Sequence, residues 1–143
     1  MRTFAADVAK GCRAGDVVVL SGPLGAGKTT FTQGFASGLQ VSGVVTSPTF
    51  VIARVHRSTV GGPDLVHVDA YRLDGLAELD DLDLDASLAD SVTVVEWGEG
   101  LAERLSSEVV HVRIDRDSDN ADSGHAVSES RRVTLTWPAH RSR

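Results

Sequence analysis

Between Gly22 and Thr30 the chain reads GPLGAGKTT, and the chemistry open to that string is the capture of a phosphate tail. Gly22, four residues, then Gly27, Lys28 and Thr29 is the spacing of a phosphate loop. Its glycines, Gly25 beside Ala26 among the positions between, let the backbone aim successive N–H groups at phosphate oxygens. Lys28 then reaches the β- and γ-phosphates, and the Thr29 hydroxyl ligates Mg²⁺. With 14 glycines and 2 lysines in 143 residues, a chance match has a probability of about 0.3%. A generic basic patch does not account for Lys28 either, because the other lysine, Lys10, lies far back in the chain. The pattern implies a bound nucleoside triphosphate; a degenerate loop that holds phosphate without turnover is the alternative.

Turnover requires more than a loop: a second acid on the magnesium side, and a group that orients the attacking water. Two acids end apolar, strand-like runs, Glu96 after VTVV and Asp69 after LVHV. In an α/β sheet such ends face the phosphate loop, so Glu96 is expected to serve Mg²⁺ and Asp69 to position water or the metal shell. A surface acid and a helix N-cap are their respective structural alternatives. Ser47-Pro48-Thr49 follows a polar, glycine-containing link, and its hydroxyls, those of Ser47 and Thr49, could swing toward the γ-phosphate as a switch does. Trp97 walls the site or packs in the core. Arg72 pairs with the acidic stretch beyond it or points at phosphate. His56, His67 and His111 sit in strand-like runs without the ligand spacing of a zinc site. No nucleophile–base pair points to covalent catalysis.

The elements that must carry these residues are legible from patterning. Residues 17–21 form an apolar strand before the loop, and a helix runs from about Gly27 to Leu39 with its positive end at the anion. A shorter helix is expected over Thr3–Cys12, ahead of Arg13-Ala14-Gly15-Asp16. Residues 50–57 and 65–70 are β-prone around a hairpin loop, Ser58–Asp64, containing Gly61-Gly62-Pro63. Strands follow at 92–97, 108–114 and 131–137, with a helix near Glu99–Leu105. An antiparallel hairpin beside a phosphate-loop strand gives an α/β, P-loop NTPase-like three-layer fold with a mixed central sheet. Asp115–Ser130 is polar and rich in small residues, which predicts a mobile loop. Leu73–Asp90 holds seven acids and no base. It reads as an amphipathic helix and turn with a solvated acidic face, or as a docking surface for a basic partner. A calcium loop fails there, since Ala86 replaces the required glycine and Val92 the bidentate glutamate.

The bulk numbers bound the function. One domain spans 1–143, too short for a second catalytic domain. A formal charge of −6 argues against direct grip on nucleic acid, which requires a basic face. The single cysteine, Cys12, cannot form an internal disulfide and fits a reducing compartment. No stretch approaches the roughly 18 apolar residues of a membrane span, and no signal pattern opens the chain, so a soluble cytoplasmic protein is expected.

Taken in order, GPLGAGKTT, TSPTF, HVDAYRL and VEWGE resemble the TsaE (YjeE) family, the small bacterial ATPase of tRNA threonylcarbamoyladenosine synthesis. The resemblance covers about Ala9 to Ile114. It implies Mg-ATP as ligand, with Gly25 to Thr30 cradling the phosphates, Thr29 and Glu96 holding Mg²⁺, Asp69 near the attacking water, and Ser47 to Thr49 as the switch-like loop. It further implies partnership with the TsaD and TsaB proteins, which transfer a threonylcarbamoyl group from its adenylate to the adenosine 3′ of the anticodon. The role so implied is to reset that complex by binding and hydrolysing ATP, with tRNA met only through the partners. One departure concerns the start: family members carry more chain before the first helix, including a Ser or Thr on the nucleotide, so a truncated N-terminus is expected at Met1.

Two other classes compete. A small P-loop kinase would need an acceptor pocket and an arginine-bearing lid, and Leu73–Asp90 offers none after Arg72. A nucleotide-dependent binding module would keep the loop and dispense with hydrolysis. No guanine-reading Asn/Thr-Lys-x-Asp motif is present, which favours adenine, and no arginine finger is evident in cis, which predicts weak turnover by the isolated chain.

Overall fold

Val17, Val18, Val19 and Leu20 are fully buried in succession, as a strand must be when both its faces are covered. In the computed structural model, which describes residues 1–23, 27–43, 45, 53–69, 89–96, 109–116 and 131–138, this run is strand β1 (Val17–Ser21), near the centre of a six-stranded sheet. The others are β2 (Ala53–His56), β3 (Asp64–Asp69), β4 (Ser91–Glu96), β5 (Val109–Arg116) and β6 (Arg131–Thr136), in the spatial order β2-β3-β4-β1-β5-β6. Pairing is parallel from β3 through β4 and β1 to β5, and antiparallel at both outer pairs. The sheet is therefore mixed, as the hairpin pattern required. The four parallel strands end at one edge, where β1 delivers the phosphate loop.

Helices α1 (Arg2–Lys10) and α2 (Lys28–Leu39) pack together on one face. Alternation along the strands sends Val18, Leu20, Leu65, Val92, Val94, Val110, Val112 and Ile114 to that face, where they meet Phe31, Phe35 and Leu39 of α2 and Ala5 and Val8 of α1. Helix α2 is intrinsically poor, carrying Gly34 and Gly38 in its interior. Its glycines lie one turn apart on the side toward α1. A Cβ on Gly38 would stand 2.5 Å from the Ala6 carbonyl oxygen, and one on Gly34 would collide with the backbone of Arg2. Close approach of the two backbones is what the missing side chains permit.

Beyond α2, Gln40 takes a left-handed conformation (φ 60°) that turns the chain toward the β2–β3 hairpin. Ser42 N–H donates to Arg57 O at 2.8 Å and Thr59 N–H to Gln40 O at 2.9 Å, fastening that turn to the hairpin. The hairpin loop closes on itself: Ser58 N–H donates to Asp64 Oδ1 at 2.7 Å, and Ser58 Oγ accepts from Val60 and Gly62.

Among the described residues, two element ends lie more than one residue from expectation. Helix α1 ends at Lys10, because Gly11 and Cys12 donate three residues back, to Val8 O and Ala9 O, and tighten the last turn. Strand β5 continues through Asp115 and Arg116, the first two residues of the expected loop, because β6 pairs with them: Asp115 stands opposite Arg132, and Arg116 opposite Arg131. The remainder of that loop, the expected helix near Glu99–Leu105 and most of the acidic segment Leu73–Asp90 lie outside the described residues.

Candidate active site

Leu20, Asp69 and Glu96 occupy the same level of three neighbouring strands: Glu96 pairs in register with Leu20 on β1 and with Asp69 on β3. In a parallel sheet that alignment turns all three to one face, here the face carrying α2. Two residues beyond Leu20 stands Gly22, buried and at φ 147°, where the chain leaves the sheet. It re-enters regular structure at Gly27, whose φ of 109° makes it the N-cap of α2. Both are backbone conformations that side chains with a Cβ rarely adopt, which explains glycine at these two positions.

Lys28 opens α2 and is only 6% exposed. Its Nζ donates to the carbonyl oxygen of Gly22 at 2.8 Å, so the ammonium folds back across the loop and ties its exit to its entrance. Thr29 and Thr30 follow in the first helical turn, both half-buried. No acid and no capping side chain occupies that turn. The amide donors and the positive end of the helix dipole therefore stand toward the loop, the arrangement that favours an anion.

Glu96 is 5% exposed and Asp69 half-buried. Two carboxylates directly opposite one another repel, and a shared cation offsets that cost. The donor set, a hydroxyl and carboxylates, suits Mg²⁺, a hard ion that takes one or two carboxylates along with phosphate oxygens and water. Among the described residues no three His, Cys, Asp or Glu side chains cluster to hold a metal unaided. The residues present thus fit an ion that arrives with its phosphates.

Of the residues singled out from sequence, Gly22, Gly27, Lys28, Thr29, Thr30, Asp69 and Glu96 are placed along this edge. Gly25, Ala26, Ser47, Thr49 and Trp97 lie outside the described residues. One functional neighbour escaped sequence reasoning. His67, completely buried, places Nε2 2.6 Å from Glu96 Oε2. The sequence signals for it are its place at the head of HVDAYRL and its position two residues before Asp69, which puts both on one face of β3.

Comparison with known proteins gives the chain's family and fold. The profile of the family described as "Threonylcarbamoyl adenosine biosynthesis protein TsaE" matches residues 1–125. The "tRNA threonylcarbamoyladenosine biosynthesis protein TsaE" of Streptomyces coelicolor is 60% identical over 137 residues, covering 95% of this chain and 89% of that protein. The protein of the same description from Mycobacterium tuberculosis H37Rv is 55% identical, covering 87% of this chain and 73% of its own length. That from Bacillus subtilis is 43% identical, over 74% and 65%. Among solved structures, Bacillus subtilis YdiB superposes with a TM-score of 0.67 at 32% identity, covering 99% of this chain and 83% of that one. The fold is thus the P-loop NTPase-like α/β fold with a mixed sheet.

Proposed function

The chain belongs to the TsaE family of tRNA threonylcarbamoyladenosine biosynthesis, and from that premise we propose that it is the Mg²⁺-dependent, ATP-binding and ATP-hydrolysing accessory subunit of the pathway. In this reading the chain makes no threonylcarbamoyl transfer itself. It acts with TsaD and TsaB, meets tRNA only through them, and resets their complex between turnovers. The observation that carries the reading is the shared edge: an ammonium and helix amides at the loop, with two in-register carboxylates on the neighbouring strands.

Each group then has a task. Loop amides and Lys28 bind the β- and γ-phosphates and neutralise charge that grows in the transition state. Thr29 and Glu96 would hold Mg²⁺, which would supply positive charge against the phosphate oxygens. Asp69 lies across from Glu96 on the neighbouring strand; its task in this reading is to accept a hydrogen bond from the attacking water and orient it. No arginine finger is assigned to the chain, so turnover is slow until a partner completes the site.

The test has two arms. Calorimetry should detect ATP binding that strengthens with Mg²⁺, and steady-state hydrolysis should change when TsaD and TsaB are added together. Rapid hydrolysis by the isolated chain, with no response to the partners, would sink the accessory role. Phosphoryl transfer to an added acceptor would instead favour a kinase, and binding with no hydrolysis in any mixture a nucleotide-dependent module.

A further inference from the structure

Among the residues near the proposed magnesium ligand, His67 is the one no task yet explains. Its side chain has no exposed surface, and it sits on the helix-covered face of β3 between Leu65 and Asp69. It stands opposite Val94, two residues from Glu96, so the imidazole crosses the sheet diagonally to reach the carboxylate. An ionised carboxylate only accepts hydrogen bonds, which makes Nε2–H the donor. Nδ1 is buried with no hydrogen-bond partner among the described residues. Leaving a polar atom unsatisfied costs stability, and an apolar residue of similar volume would avoid that cost. As a core residue His67 is therefore poorly used; among the described residues its one satisfied ring atom is the one that grips Glu96.

We infer that His67 is a positioning residue for Mg²⁺: by committing Glu96 Oε2 to the imidazole, it fixes the carboxylate's rotamer and leaves Oε1 to face the ion or its water. The inference rests on the Mg-nucleotide reading of the site. Imidazole–carboxylate pairs behind a metal are known to set ligand orientation, and their loss typically lowers metal affinity by about 10- to 100-fold. His67 touches neither phosphate nor water in this scheme; it acts only through Glu96. Its removal therefore acts on the magnesium dependence and leaves the grip of Lys28 and the loop amides on phosphate in place.

The experiment titrates Mg²⁺ against the full chain holding ADP, reading nucleotide affinity by calorimetry in EDTA and at rising Mg²⁺. His67→Leu should raise the Mg²⁺ midpoint about 10- to 100-fold, with affinity for metal-free ADP within about 2-fold of native. His67→Gln, whose amide N–H reaches nearly as far as Nε2, should restore most of the loss. A folded His67→Leu protein with the native midpoint overturns the proposal. Nitrogen-15 NMR of the native histidines decides the matter independently of any variant: His67 should be the Nε2–H tautomer, and its Nε2 resonance should move between ADP in EDTA and Mg-ADP. An Nδ1–H tautomer, or an Nε2 resonance indifferent to Mg²⁺, also overturns it. Native protein that binds ADP with no response to Mg²⁺ refutes the underlying metal reading, and the role of His67 falls with it.

Discussion

Lys28 is a buried ammonium that donates to the Gly22 carbonyl of its own loop, and that bond has two consequences. It pre-places the charge where a phosphate chain passes, so little side-chain entropy remains to be lost on binding. It also makes Lys28→Met an informative substitution, since the packed stem is kept and only the charge and its donors go. A hydrogen bond to a charged group contributes about 1.5–3 kcal/mol. At about 1.4 kcal/mol per decade, Lys28→Met should weaken ATP binding about 10- to 100-fold in calorimetry. Asp69 should respond differently. Asp69→Asn keeps size and burial and removes an acceptor charge, so its effect belongs in kcat. A fall of about 10²- to 10⁴-fold at nearly constant KM is expected from steady-state hydrolysis measured with the partner proteins. An equal loss in KM would assign Asp69 to binding instead.

Among the elements, the seam between α1 and α2 sets the position of the phosphate loop, because α2 begins at Lys28 itself. Gly38 lies against the Ala6 backbone, which cannot yield as a flexible side chain would. Gly38→Ala should cost about 1–3 kcal/mol despite the better helix propensity of alanine, read as a lower urea midpoint at unchanged slope. The same elements mark what sequence could disclose. Strand β1, the loop and α2 were legible because an apolar run, a glycine spacing and a helical pattern stand side by side. The β2–β3 hairpin was legible from its Gly-Gly-Pro turn, and Glu96 and Asp69 from their places at strand ends. The pairing of His67 with Glu96 was not, because it depends on the register of two strands whose partners lie 29 residues apart. Nor was the extension of β5 into Asp115–Arg116. That stretch is polar by itself, and it becomes strand only because β6 sets Arg132 opposite Asp115, a favourable cross-strand pair. The glycines of α2 read as weak helix formers until α1 is laid against them.

For the molecule as a whole, charge decides how it can meet tRNA. The sequence carries 20 acidic against 14 basic residues, a formal −6. Several of those bases are already spent on neighbouring acids: Lys10 on Asp7, Arg57 on Asp64, and Arg113 on Asp115. Each such exposed pair contributes little to stability, yet each reduces the positive surface offered to a polyanion. Non-specific nucleic-acid binding draws its free energy from phosphate neutralisation and counterion release, and reaches dissociation constants of about 10⁻⁴ to 10⁻⁶ M in proteins with a basic face. The isolated chain should bind more weakly than that, with a dissociation constant above about 10⁻⁴ M. In a filter-binding assay at about 0.1 M salt, tRNA should not be retained at protein concentrations up to about 10⁻⁴ M, with or without Mg-ATP. Adding TsaD and TsaB should bring tRNA and this chain into one complex, and Lys28→Met should alter its nucleotide dependence without changing the isolated chain's indifference to tRNA. Tight, salt-sensitive tRNA binding by the chain alone would mean that a concentrated basic patch outweighs the net charge, and the chain would then be a direct tRNA-binding subunit.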